Sequence, residues 1–436
     1  MKKSNLLLII LSFFTSFVFA QNSEFNPPAM PKVQSGSGIS MDKLQLLDQH
    51  IETFVNQGHV PGGVFVIARK GKIVYNKSFG YQTLAKKKKY QKDDIFRLAS
   101  MTKAFTTVSI MQLYEQGKLG LDDPIFYYIP AFKQSAVLDQ FNEADSSFTT
   151  KPVRRPITIR HLLTHTSGIT YGVFNPGKIQ AVYEKMGANN FGLSADVTTE
   201  QMANQLAKVP LIFQPGEKYM YGLNMEILGR VVEVVSGKRL NQYFKENIMM
   251  PLGIEDTGFY LPKSKHDRLV PVYTYDEKGK VIMAADTEFG KILQFPKRSD
   301  NNHYAGGGGM SGTAMDYMIF IQTLLNEGEY GGKRILSRKT IEVMTSDQLI
   351  LLNKNGTGYS KTPGITYGLG FALKTDEGTA HDHKSAGTYE WGGYFNTKFF
   401  IDPEEELVFV GMTQIVPFQR NDFWDKMYAI IYGAIE

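Results

Sequence analysis

Apolar residues recur at helical spacing between Met41 and Gln57, where Leu44, Leu47, Ile51, Phe54 and Val55 share one face and Gly58 supplies the stop. The pattern predicts an amphipathic helix laid on a sheet. The unbroken run Val64 to Ala68, the polar turn Arg69 to Lys72 and the run Ile73 to Tyr75 then read as a central strand, a turn and a returning strand. Lys86 to Lys89 read as a solvated hairpin tip. After Lys103 the pattern turns helical through Ile110, Met111, Leu113 and Tyr114 to Gly117. From there to about residue 300 strand alternation is scarce. Helices are predicted at Ile159 to Leu163, Thr199 to Leu206 and Glu226 to Val235, with long irregular loops near 133–157 and 170–198. Thr313 to Leu325 predicts a further helix. Strand signals return at Tyr367 to Leu373, Tyr394 to Ile401 and Leu407 to Met412, the last two joined by an Asp402-Pro403-Glu404 turn, before a closing helix from Phe423 to Ile435.

Strand signals at both chain ends with helices between them predict an α+β fold, an α/β sandwich. An antiparallel sheet built from both ends (about 41–100 and 305–436) is flanked by helices and carries a mainly helical part (about 101–304). Before it, Met1-Lys2-Lys3, the apolar run Leu6 to Phe19 and Val18-Phe19-Ala20 read as a secretory signal peptide over residues 1–20, so the mature protein is expected to be periplasmic or secreted. Residues 21–40, with three prolines and Ser35-Gly36-Ser37-Gly38, read as a flexible leader. No later apolar run approaches the ~20 residues of a membrane span. Loss of Lys2 and Lys3 takes two charges from a formal +5, too mild a balance to imply a nucleic-acid partner. Cysteine is absent, which excludes disulfides, a cysteine nucleophile and a lipid-modified N-terminal cysteine.

Two serines stand three residues before a lysine: Ser40 with Lys43, and Ser100 with Lys103. A serine hydroxyl needs an adjacent base, and a lysine at i+3 on a helix is within reach, usable when desolvated or beside another cation. Ser40 follows the leader and precedes the first helix, which is the setting of an N-cap. Ser100 follows the apolar approach Phe96-Arg97-Leu98-Ala99. Further along, Tyr221 precedes a helical run, and a phenol near an ammonium can share a proton with a serine. Trp391-Gly392-Gly393-Tyr394 places two glycines where a strand is expected to open. The backbone N–H groups of Ser100 and Tyr394 are candidates for a two-donor oxyanion hole.

Several segments resemble, in order, the serine β-lactamase and penicillin-binding-protein-like superfamily, closest to its class C-like family VIII esterases. They are Val60-Pro61-Gly62-Gly63, Phe96 to Lys103, Ile157 to Gly168, Tyr221 to Gly229, Ala305 to Met310 and Trp391 to Gly393. The resemblance implies a β-lactamase/transpeptidase-like fold with Ser100 as nucleophile, Lys103 as its base and anchor, Tyr221 as second proton-transfer group and Trp391 to Gly393 as the strand beside the substrate. Two departures point the same way. The tyrosine motif of the β-lactamases has asparagine in its third place, where this chain has Leu223, with Asn224 one position late. Their Lys-Thr-Gly strand is here Trp391-Gly392-Gly393, which lacks the cation that holds a β-lactam carboxylate. Both resemble the esterase branch.

The reading that follows is a serine hydrolase that forms an acyl-enzyme on carboxylic esters, hydrolysing or transesterifying them, with a small ester, amide or peptide as substrate and no cofactor. Alternatives are a D-Ala-D-Ala carboxypeptidase or D-amino-acid peptidase, a weak β-lactamase, and a catalytically silent ligand-binding member. Gly307, Gly309 and Gly312 satisfy G-x-G-x-x-G, but no apolar strand leads into them, so a mobile glycine loop beside the site is expected rather than a dinucleotide fold. His161 and His165 stand at i, i+4 without the glutamate of H-E-x-x-H, and no metal is expected. His381 and His383 read as solvent-facing. The chain has no G-x-S-x-G, which argues against a nucleophile elbow. Specificity is expected to come from the loops near 170–198 and 285–310.

Overall fold

The computed structural model describes residues 30, 37–189, 191–193, 197–284, 288–298, 302–360, 363–380 and 382–436. The expected signal peptide, most of the leader and His381 lie outside the described residues. The main sheet is formed by β1 (Gly62–Arg69), β2 (Lys72–Thr83), β3 (Lys88–Lys89), β4 (Ile365–Tyr367), β5 (Ala372–Lys374), β6 (Tyr389–Gly393), β7 (Thr397–Asp402) and β8 (Leu407–Met412). Its order is β4-β5-β6-β7-β8-β1-β2-β3, with every neighbouring pair antiparallel. The two ends of the chain meet where Val64 pairs with Met412.

Alternation on β1 assigns the two faces, because successive side chains of a strand point to opposite sides. Phe65 and Ile67 pack with Leu47, Ile51 and Phe54 of α1 (Met41–Asn56) and with the closing helix, in which Phe423, Trp424 and Met427 are buried. Val64, Val66 and Ala68 face the larger core, which includes Phe105 of α2 (Thr102–Glu115), Leu228 of α3 (Asn224–Ser236) and Phe320 of α4 (Ala314–Leu325). The closing helix is α5 (Asp422–Gly433). α2 is buried on every side from Thr102 to Leu113, so its polar residues must find internal partners. Thr106 donates to the carbonyl of Gly306, Ser109 to that of Phe105, and Gln112 to those of Asn247 and Ile335.

Three expectations are corrected. Tyr367 to Leu373 is a hairpin of two short strands rather than one strand. The chain turns at Gly370, which has φ +82° and lies so close to α2 that a Cβ there would sit 2.1 Å from Thr107 Oγ1. The buried Leu369 and Phe371 gave the turn its apolar, strand-like look. The loops near 133–157 and 170–198 are not wholly irregular either: Ala136–Phe141 pairs with Phe148–Pro152, and Lys178–Lys185 is helical. The second strand of that hairpin is mostly exposed, so it lacks the alternation that marks a half-buried strand. Finally, Trp391-Gly392-Gly393 closes β6 instead of opening a strand. Tyr394–Asn396 forms a three-residue hairpin loop with Asn396 at φ +65°, and β7 returns from Thr397.

Candidate active site

Ser100 stands in the short 3-10 turn Ala99–Met101 that leads into α2. Ala99 before it is held at φ +45°, a left-handed conformation costly for a residue with a Cβ, and its neighbours enforce it. The Leu98 N–H donates to the Met310 carbonyl, Gln414 bonds both the N–H and the carbonyl of Arg97, and the Arg97 guanidinium donates to the carbonyls of Leu293 and Val270. The turn is thus fixed from three directions. No side chain caps α2, so the Ser100 hydroxyl is not consumed as a cap.

The Tyr221 hydroxyl donates to Ser100 Oγ at 2.7 Å, and Lys103 Nζ lies 3.3 Å from the same atom. Lys103 is fully buried. It also donates to the Tyr171 hydroxyl at 3.1 Å and to the Gly307 carbonyl at 2.6 Å, and lies 4.9 Å from the centre of the Tyr221 ring. The structure therefore brings Ser100, Lys103 and Tyr221 together as the sequence reading expected.

Sequence reasoning gives no role to two members of the site, Tyr171 and Glu226, and takes a third, Gly307, for part of a mobile loop beside it. Burial holds the Tyr171 phenol well above its usual range, which leaves it a neutral acceptor for the lysine. Glu226, on α3, is buried and accepts the Gly307 N–H at 3.0 Å, so one residue, Gly307, links Lys103 through its carbonyl to Glu226 through its N–H. Burial pushes this carboxyl up to about 8, against the opposing pull of Lys103 and of the Gly307 and Gly306 N–H groups. The expected mobility of the glycine loop is corrected at Gly307, which belongs to a turn buried against α2 and α3, where a Cβ on Gly306 would lie 2.6 Å from the Met225 carbonyl. The only advance signal was the run of four glycines.

His165 lies behind Tyr221, with ring centroids 4.8 Å apart. Its Nδ1 accepts the Gly222 N–H at 3.3 Å and faces Asn224 Nδ2 at 2.7 Å; burial, then the charge of Lys103, holds the imidazole well below its usual range and neutral. Asn224 is occupied with His165 and with Ser167 Oγ, and Leu223 is in the core. His161 Nδ1 accepts the Thr158 N–H in a capping box at a helix start, and His383 is exposed. Among the described residues no cluster of three or more histidine, aspartate and glutamate side chains is arranged to hold a metal.

The strand Trp391 to Gly393 borders Ser100. Trp391 packs on Tyr221 at 5.5 Å. Gly393 abuts the serine segment so closely that a Cβ would lie 2.3 Å from the Leu98 carbonyl, which brings the backbone at Tyr394 beside the Ser100 turn. Ser100, Tyr221, Trp391 and Tyr394 line a cavity of about 350 Å³ that Phe174 and Phe191 extend. Such a site can pass a proton between hydroxyl, phenol and amine while a carbonyl rests against the end of β6.

The Beta-lactamase family model matches residues 47–431. Esterase EstB of Burkholderia gladioli is 28% identical over 84% of this chain and 90% of its own. Lovastatin esterase of Penicillium rubens is 29% identical over 85% and 92% respectively. Among solved structures, EstCE1, described as a hydrolase with promiscuous acyltransferase activity, superposes with a TM-score of 0.76 at 29% identity, covering 90% of this chain and 99% of that one.

Proposed function

The chain belongs to the beta-lactamase family, and on that premise we propose that it is a serine hydrolase that cleaves carboxylic esters through an acyl-enzyme on Ser100. The observation that carries the reading is the pair of contacts on Ser100 Oγ, from Tyr221 at 2.7 Å and Lys103 at 3.3 Å, at the floor of a cavity. With the lysine neutral or the phenol ionised, the serine proton passes to that group as Oγ bonds the ester carbonyl carbon. The N–H groups of Ser100 and Tyr394 receive the oxyanion. Collapse expels the alcohol, which takes the same proton, and leaves the acyl group on Ser100. Water, or a second alcohol in a transesterification, then gives its proton to the Lys103–Tyr221 pair, attacks the acyl carbon and frees the serine. Esterase EstB and lovastatin esterase, as relatives along most of the chain, support esters as the substrate class. Export through residues 1–20 is part of the same proposal, and the mass of the mature N-terminus reads it out.

The test is mass spectrometry after a fluorophosphonate, paired with initial rates on an aryl butyrate and a chromogenic cephalosporin. A covalent shift at Ser100 and preference for the butyrate are expected. No adduct would make the protein a silent binder, and preference for the cephalosporin would return the site to β-lactams.

A further inference from the structure

The cavity above Ser100 has two unlike walls. One is aromatic: the Phe174 ring lies 5.7 Å from Tyr394 and 6.4 Å from Phe191, which is itself 6.0 Å from Tyr394. At the other, Lys398 is the one basic side chain among the described residues that line the cavity. It stands on β7 directly opposite Gly392 of β6. Its stem crosses the space a side chain at 392 would fill, because a Cβ there would lie 2.9 Å from Lys398 Cδ and 3.4 Å from Cε. The backbone carbonyl of Thr397, also 2.9 Å from such a Cβ, and this stem together account for the first glycine of the pair, as the Leu98 carbonyl does for the second. β5 pairs with β6 only at Tyr389 and Glu390, so beyond Glu390 the outer edge of β6 is open, and the lysine is carried across the strand toward that edge.

The two carboxyl groups lining the cavity leave this charge uncompensated. Glu390 is met by Lys384 at 2.6 Å. Glu226 is buried, accepts the Gly307 N–H at 3.0 Å, and has its carboxyl pushed up to about 8 by burial. No carboxylate among the described residues lies within ion-pair distance of Lys398, and the lysine is exposed enough to receive a partner from solution. We propose that Lys398 is a subsite for a carboxylate borne by the substrate, so that the preferred esters are amphipathic. Their apolar part lies on Phe174, Phe191 and Tyr394, and their carboxylate reaches Lys398 along the open edge of β6. For turnover the inference rests on Ser100 as the acylated residue; for binding it does not.

Two substrate pairs test it: phenyl monoadipate against phenyl hexanoate, and 4-carboxyphenyl butyrate against phenyl butyrate, which place the carboxylate on the acyl and the alcohol side. In at least one pair the ratio of kcat/KM, charged over neutral, should fall roughly five- to tenfold in Lys398→Met and be restored in Lys398→Arg, the size of a partly exposed charge-assisted contact. Ratios that do not change in either pair would overturn the subsite. Calorimetric titration of the Ser100→Ala protein with the same four esters, with and without Lys398→Met, reads the subsite apart from chemistry. If no ester is turned over but the charged one binds more weakly in the double variant, the acylation reading fails and the subsite stands. Equal binding overturns the subsite.

Discussion

Ser40 and Ser100 each stand three residues before a lysine at the entry to a helix, yet the two lysines meet opposite surroundings. Ser40 is the N-cap of α1; its Oγ accepts the Lys43 N–H at 3.4 Å, and Lys43 Nζ reaches the Gly433 carbonyl at 3.1 Å in an exposed setting. Lys103 is sealed in the protein with Ser100, Tyr171 and Gly307 on its three donors. The spacing brings hydroxyl and lysine onto the same turn in both cases. What differs is whether the hydroxyl is spent on capping, and whether the ammonium has water to fall back on. A capping serine has its lone pair committed to the backbone. Ser100 keeps its oxygen for side chains, because α2 begins without a cap and is held in place by Arg97, Gln414 and Met310 instead.

The sharpest way to break this comparison is to remove each lysine in turn. Lys103→Met is expected to lower kcat on an aryl ester by about a thousandfold, within the range of a lost general base and equal to ~4 kcal/mol of barrier, whereas Lys43→Met should retain turnover. Initial rates on protein checked by circular dichroism decide it, and similar rates in the two variants would erase the distinction. A smaller effect is expected from Glu226, the buried acid that the Lys43 site lacks. Its folded pKa of about 8 lies above the unfolded value of 4.5, so the stability it contributes is full below 4.5 and is lost as pH rises through about 8. Glu226→Gln keeps an acceptor for the Gly307 N–H and removes the titration. Thermal melts should show a variant-minus-parent gap in Tm that widens from pH 5 to 8 and levels off above it. His303, 3.9 Å from the carboxyl, and Lys103 are the neighbouring groups whose charge would alter that profile. A gap that does not vary with pH would mean the carboxyl is ionised throughout. The smallest effect belongs to Ser40→Ala, which should cost roughly 1 kcal/mol of stability in a denaturant titration, as a lost N-cap does, without altering ester turnover.

Much of this arrangement was legible in the sequence where local rules govern it. The helix at Met41 and the strands at Val64 and Leu407 obey simple periodicities, and Ser100, Lys103 and Tyr221 sit in a recognisable order. The roles of Tyr171, Glu226 and Gly307 were not legible because they arise from chain segments 68 to 204 residues apart in sequence from their partners. No window of sequence carries such a contact. Tyr367 to Leu373 misled for the opposite reason: a buried turn is as apolar as a strand, and only the approach of Gly370 to α2 reveals the bend. Lys398 was invisible as a cavity residue because its register with Gly392 depends on where the hairpin turns, and that turn falls three residues later than the glycines suggested.

The join between β1 and β8 also sets a timetable. β1 is synthesised long before its partner on one side, Leu407 to Met412. Until that partner is made one edge of β1 has no neighbour, and until β6 is made Ser100 lacks the backbone that borders its cavity. A chain cut short before β6 would carry the serine, the lysine and the tyrosine without the strand that borders Ser100, and is expected to be inert on esters.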